Sequence, residues 1–253
     1  MDKKDVDLDI NELTMYFPGY NFKVNKNIEM ISPTVGDIIE FGEEKYYSTV
    51  HSLSCIPSDM ISTLWDMGID WEELDDFELF IMLSRSIDKE QTKLIFEDLD
   101  LSKMQMVVNN ETEDICLINE ETNQVIDRLA YMKISAYLRK LHNIKPKIKK
   151  AKTKTTKKLL IELDRGDKEK ALKNNQHKSQ LKPLISAMMR YPGFKYKSNE
   201  LKECTLYEFM DTVQGAAIYI SSTSLLQGSY SGFCDTSKIN KEAFDWMRES
   251  SSE

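Results

Sequence analysis

Met104-Gln-Met-Val-Val108, Ile115-Cys-Leu-Ile118 and Val125-Ile126, followed by Asp127-Arg-Leu-Ala-Tyr-Met-Lys-Ile-Ser-Ala-Tyr-Leu-Arg-Lys-Leu141, decide how this chain is read. The first two runs are β-rich and flank the polar turn Asn109-Asn110-Glu111-Thr112; Val125-Ile126 adds a short third strand after Asn123. Beyond Asp127, the residues Leu129, Met132, Ala136, Tyr137 and Leu141 hold a helical period. Strands in local hairpins, interrupted by helices, predict an α+β class: mixed helices and short antiparallel hairpins.

Working towards the N-terminus, the same alternation recurs. Leu13–Phe17, Asn21–Val24 and Ile28–Ile31 read as short strands, separated by Pro18-Gly19 and Asn25-Lys26-Asn27. A helix is expected after Pro33, with Thr34 as N-cap and Asp37 in the capping-box position, and with Val35, Ile38, Ile39, Tyr46 and Val50 on its apolar face. Ser58 is the expected cap of a second helix holding Ile61, Leu64 and Trp65, which stops at Gly68. A third is expected over Trp71–Ser86. A fourth runs from Asp88 and Gln91 through Phe96.

Towards the C-terminus the composition changes abruptly. Eight lysines and no acid lie between Lys145 and Lys158. Residues 143–183 carry 14 basic and 4 acidic side chains, a net of +10, which leaves −18 on the remainder of a chain whose total is −8. Such a stretch reads as a solvated linker, as a docking segment for an acidic surface, or as a phosphate-neutralising segment. Past it come helices over Leu181–Arg190 and from the Thr205–Glu208 capping box, stopping at Gly228, and a last short helix with Phe244, Trp246 and Met247. The expected division is therefore an α+β domain over 1–143, a lysine-rich connector over 144–180 and a helical domain over 181–253.

At 41% hydrophobic and 30% charged, the 253 residues are globular in composition, which excludes collagen-like and wholly disordered classes. No 18-residue apolar run exists, so no membrane partner is expected. The acidic start Met1-Asp-Lys-Lys-Asp-Val-Asp-Leu-Asp9 lacks an apolar core and is not expected to be a signal peptide. Cys55, Cys116, Cys204 and Cys234 form no C-x-x-C pair and are expected to be free thiols of a reducing compartment.

The chemistry-bearing motifs are missing. His51, His142 and His177 stand alone, without ligand spacing, so no metal and no cofactor is expected. Gly228-Ser-Tyr-Ser-Gly232 has Tyr230 where a nucleophile elbow needs serine, and follows a helix instead of a strand. The acids Asp66, Asp70, Glu72, Glu73, Asp75, Asp76 and Glu78 fail the calcium-loop pattern and read as a solvated helix start. With no cluster of nucleophile, base and orienting group, no catalytic residue is assigned and an enzyme is not expected.

What remains is binding. Trp65, Trp71, Phe77 and Phe80 form either core or one partner patch; Tyr230, Phe233, Phe244 and Trp246 form a second candidate patch, since large apolar anchors dominate interfaces. Lys145, Lys147, Lys149, Lys150, Lys152, Lys154, Lys157 and Lys158 are the electrostatic candidates. Nucleic acid is the weaker reading for them, because no aromatic residue lies between Tyr137 and Tyr191 to stack on bases.

The segments Pro33-Thr-Val-Gly-Asp-Ile-Ile-Glu-Phe-Gly-Glu43, Leu64-Trp-Asp-Met-Gly-Ile-Asp-Trp71, Phe77-Glu-Leu-Phe80 and Phe96-Glu-Asp-Leu-Asp100 resemble small proteins of phages and prophages of Gram-positive bacteria. Tyr230-Ser-Gly-Phe233, Asp235, Ser237-Lys-Ile239 and Asp245-Trp246 extend the likeness, which covers most of the chain outside 145–180. Within virion morphogenesis proteins the chain looks most like the tail assembly chaperones. That resemblance implies a non-enzymatic protein of the host cytoplasm that coats the tape-measure protein and recruits tail-tube subunits, and that is expected to be a homo-oligomer. A structural neck or tail component of the virion is the alternative within the same likeness; a nucleic-acid-binding protein using residues 145–182 is the alternative outside it.

Overall fold

The computed structural model describes residues 10–108, 114–174, 179–232, 237 and 239–249. Its class is α+β, with eleven α-helices and two small antiparallel sheets among those residues. In chain order they are α1 (Glu12–Met15), β1 (Phe22–Lys23), β2 (Glu29–Met30), α2 (Val35–Phe41), α3 (Glu43–Ser54), α4 (Ile61–Asp66), α5 (Asp76–Ser84) and α6 (Lys89–Thr92). Then follow β3 (Gln105–Val108), β4 (Ile115–Asn119), β5 (Gln124–Ile126), α7 (Arg128–Leu141), α8 (Lys154–Asn174), α9 (Leu181–Arg190), α10 (Ser198–Glu203) and α11 (Leu206–Tyr230).

Local capping chemistry places many of these starts. Thr34 accepts from the Asp37 amide at 3.1 Å while the Asp37 carboxylate accepts from the Thr34 amide at 2.9 Å, a complete capping box for α2. Asp88 and Gln91 make the same reciprocal pair on α6, and the Asp127 carboxylate accepts from the Ala130 amide at the start of α7. Thr205 caps α11 through the Glu208 amide. The Glu208 carboxylate does not complete that box, because it accepts from the Tyr196 hydroxyl and from the Cys204 thiol.

The sheets are local meanders. β1 pairs with β2, setting Phe22 opposite Met30, and the second sheet has the order β3-β4-β5, with Val107 opposite Cys116 and Leu117 opposite Ile126. The strands expected at Asn21–Val24, Ile28–Ile31, 104–108, 115–118 and 125–126 are all present within a residue or two. The turn expected at Asn109–Thr112 lies outside the described residues.

Two buried clusters hold the chain together. The larger spans Met15 to Phe209 and joins Ile38, Tyr46, Phe96, Ile134 and Tyr137 to Leu181, Met188, Leu201, Leu206 and Phe209. The smaller gathers Cys55, Ile61, Leu64, Trp71, Leu79 and Ile161. The boundaries expected at 143 and 181 therefore do not separate cores. Backbone bonds reinforce the joint: Val35 N–H donates to Cys204 carbonyl, Leu206 N–H donates to Pro33 carbonyl (both 2.9 Å), and the Thr205 hydroxyl donates to Met15 carbonyl at 2.8 Å. The capped starts of α2 and α11 lie side by side, linked by a Thr34–Thr205 bridge.

Several sequence expectations need correction. Leu13–Phe17 is not a strand: Asn11 accepts from the Leu13 amide and caps the short helix α1. The helix after Pro33 is two helices, broken at Gly42, whose φ of 102° is a left-handed value that side chains resist; within the first, Val35 and Ile38 take the buried face and Ile39 faces solvent. Ser58 is not a helix cap but a buried residue of a 3-10 turn, accepting from the Lys149 amide at 3.0 Å, and α4 begins three residues later. The third helix begins at Asp76 instead of Trp71, because Asp75 and Glu78 form the capping box that sets its first turn. α6 ends at Thr92, well before Phe96, and α11 runs past Gly228 to Tyr230. The final helix is a single 3-10 turn, Lys241–Phe244.

Residues 154–174 depart furthest from expectation. Instead of connector, they form the 21-residue helix α8, docked on α4 through Ile161. One row, Lys157, Ile161, Asp164 and Lys168, lies at helical spacing and makes the contacts.

Candidate functional site

The first expected patch is mostly core. Phe77 and Phe80 are buried, both stacked or tilted against Tyr131 with ring centroids 5.3 and 5.0 Å away. Trp71 is 3% exposed and belongs to the smaller core, whereas Trp65 on α4 is 43% exposed. The physical reason is the α5 stripe: Phe77, Phe80 and Ile81 share one face of a helix that packs on α3. Three of the four residues are thus unavailable to a partner in the folded chain.

Trp65 and Trp71 instead serve an internal contact. Their rings meet edge to face, with centroids 6.3 Å apart, and the Lys157 ammonium stands 5.8 Å from the first and 4.8 Å from the second. Asp70 and Glu72 grip the same ammonium, the latter at 3.1 Å. Desolvation works against the charge, but the two carboxylates outweigh it and hold the Lys157 pKa above its ordinary value. The preceding strap is stapled alongside: Trp71 Nε1 donates to Lys149 carbonyl at 3.1 Å, and the Ala151 amide donates to Glu72 at 2.7 Å.

The acid-rich stretch is consequently paired, not merely solvated. Asp66 meets Arg165, Asp75 accepts from the Arg128 guanidinium with both oxygens (2.9 and 3.0 Å) besides capping α5, and Asp164 of α8 accepts from the Ser62 amide and hydroxyl while Lys168 neutralises it at 2.8 Å. Intramolecular docking against acids accounts for Lys157. Lys145, Lys147, Lys149, Lys150, Lys152, Lys154 and Lys158 are exposed.

Replacing Lys157 with alanine is expected to cost about 1 kcal/mol, the usual size of a partly exposed cation–π and ion-pair contact. The larger sign of it is local: tryptic cleavage across Lys145–Lys152 should accelerate several-fold as the strap loosens. Equal digestion rates in the two proteins would contradict the cage's role.

The second expected patch is divided. Tyr230 is 87% exposed at the end of α11, Phe233 lies outside the described residues, and Phe244 is half-buried in the 3-10 turn. Trp246 packs edge to face on Tyr219 at 6.0 Å. Below it, the buried Ser222 hydroxyl donates to Ala243 carbonyl at 2.9 Å, and Arg248 donates to Ser222, Glu242 and Ala243. The tail is therefore seated on the middle of α11, two turns short of Tyr230.

The helix beneath that tail is the one expected from the Thr205–Glu208 capping box; its value as a surface was not singled out. From Thr212 to Gly232 there are 21 residues without a single charge, in a chain where 30% are charged. The N-terminal turns of α11 are anchored by Leu206 and Phe209, while Tyr219, packed on Trp246, and Ile220 are both about half exposed. The signal was legible as a gap in charge, which a search for apolar period alone passes over.

Of the histidines, His51 sits in the last turn of α3, His142 caps α7 and His177 lies outside the described residues. Tyr46 hydroxyl and His142 Nε2 are 3.1 Å apart, inside a cluster with Tyr47. Cys55, Cys116 and Cys204 are free thiols, and burial raises the first and last well above the ordinary thiol range, which leaves them inert. A cleft of about 240 Å³ beside the end of α7 is lined by groups already paired within the chain: Asp211 accepts from the Tyr16 hydroxyl, Tyr207 hydroxyl donates to Glu12, and Lys140 meets Glu12. Among the described residues no group of three potential ligands is gathered for a metal, and no helix is long and apolar enough to cross a membrane. No protein-family model, no curated protein and no solved structure matches this chain.

Proposed function

We propose that this chain is a phage tail morphogenesis protein acting by protein–protein binding, a tail assembly chaperone for tape-measure and tail-tube proteins in the host cytoplasm. The sequence likeness to virion morphogenesis proteins supplies the role. The observation that carries the binding mode is the uncharged half of α11, anchored at one end in the core and presenting Tyr219 and Ile220 beside Trp246. A partner helix laid along such a surface meets no charge on that half of α11, so its apolar side can be buried there. A tape-measure helix, apolar until polymerisation covers it, has the chemistry to fit there.

Affinity capture of the tagged chain from infected cells should recover tape-measure and tail-tube proteins at both low and high salt, because apolar contacts are not screened. Purified particles should lack the chain. Its presence in mature particles would favour the structural neck or tail reading instead.

A second reading rests on the exposed lysines of the strap and the start of α8. It predicts recovery of nucleic acid that falls steeply as salt rises. Capture of nucleic acid alone, lost at high salt, would overturn the chaperone proposal.

A further inference from the structure

We propose that the tail, residues 239–249, is a tethered competitor for the partner surface of α11: it covers an apolar side of the uncharged half, and a partner helix displaces it. This role presupposes that α11 is the partner surface, and it names what covers that surface in the free chain.

Ser222 marks the covered side. It is 0% exposed and is the one buried residue between 215 and 230. One turn to either side on the same face stand Ile218, Leu225 and Leu226. All three are half-buried, yet they belong to neither buried cluster. The element with the most extensive contact to α11 is the 3-10 turn Lys241–Phe244. The tail thus occupies the helix as a partner would, with Phe244 half-buried and Trp246 packed on Tyr219 as its aromatic anchors.

The covering is lightly held. None of residues 239–249 is buried, and among the described residues their hydrogen bonds and ring contacts run to α11 or stay within the tail. The hold is mainly polar: the Ser222 hydroxyl donates to Ala243 carbonyl at 2.9 Å, and Arg248 Nη1 donates to the Ser222 hydroxyl at 3.1 Å and to Ala243 carbonyl at 2.8 Å. An element with so few buried contacts opens without unfolding the rest. Opening joins Ile218, Leu225 and Leu226 to Tyr219 in one uncharged stripe, at the i, i+4, i+7 spacing by which helices are recognised. One face cannot hold the tail and a partner helix together.

Hydrogen exchange of the full chain over residues 241–247, with and without saturating tape-measure protein, reads the displacement. Exchange there should quicken at least ~5-fold on binding as the tail is released; protection that stays or rises overturns the competitor. Loosening the tail should also strengthen binding, because a partner that needs the open state gains in proportion to the fraction already open. Arg248→Ala should therefore lower the tape-measure dissociation constant at least ~3-fold while the melting temperature holds. Should Arg248→Ala unfold α11, the exchange of the wild type decides alone. If neither protein binds tape-measure protein, the reading of α11 falls and the competitor with it. If both bind equally and the tail stays protected, α11 stands and only the competitor falls.

Discussion

Phe209→Ala is expected to destabilise the entire chain by about 3–5 kcal/mol, the usual consequence of emptying a buried phenyl site. Phe209 is 1% exposed and sits in one cluster with residues from Met15 to Leu206. Against a typical total of about 5–15 kcal/mol, such a loss removes roughly a fifth of the stability at the least. The effect should be shared by both ends, because Thr34 and Thr205 are bridged and the start of α2 is bonded to the residues preceding α11. Trp71 fluorescence, read in a variant lacking Trp65 and Trp246, and far-ultraviolet circular dichroism should therefore lose their signals at one shifted denaturant midpoint. A variant in which Trp71 keeps its wild-type midpoint while helix content falls would mean that the C-terminal helices form a separate unit.

Acid should weaken the fold through His142. Burial drops this imidazole from its ordinary 6.5 to about 3, and its Nε2 faces the fully buried Tyr46 hydroxyl. Below about pH 6.5 the unfolded chain binds a proton that the folded chain refuses. The stability from this residue is thus complete above pH 6.5 and declines as pH falls towards 3. By about pH 4 the loss amounts to roughly 3 kcal/mol, at about 1.36 kcal/mol for each unit of difference. His142→Gln keeps an acceptor for Tyr46 and removes the titration. The gap between the urea midpoints at about pH 7 and about pH 4 should then shrink by most of that amount relative to wild type. An unchanged gap would show that carboxylates alone govern the acid response.

The parts of this fold that sequence makes legible are those decided within a few residues. Thr34 with Asp37, Asp88 with Gln91 and Asp127 with the Ala130 amide are contacts three residues apart, and each start was readable from them. Gly68 likewise takes the left-handed φ of 78° expected after α4. The β3-β4-β5 meander was readable because its pairing is between neighbours.

What escaped was decided at a distance. Residues 154–174 look like a solvated run until Asp70 and Glu72, more than eighty positions earlier, neutralise Lys157 and the smaller core accepts Ile161. Asp75 and Glu78 carried a helix-start signal that the crowd of neighbouring acids obscured. For the candidate site, aromatic type was a poor guide to availability: Trp71, Phe77 and Phe80 went to the core, and only Trp65, Tyr230 and Trp246 stay substantially exposed among the described candidates. Exposure depends on which helix face meets a neighbour, and no spacing along α5 alone says which neighbour that is.

If the uncharged half of α11 is the surface that a partner occupies, one substitution on it should abolish most of the binding. Ile220 is half exposed on that helix, beside the Tyr219–Trp246 contact and away from the anchoring residues Leu206 and Phe209. Titration of the tape-measure protein against the full chain should show binding that Ile220→Asp weakens at least ~10-fold, since a carboxylate buried in an apolar interface is costly, while the melting temperature stays within a degree or two. Binding of Ile220→Asp at wild-type strength would contradict the account, and so would a wild-type chain that binds no tape-measure protein at all.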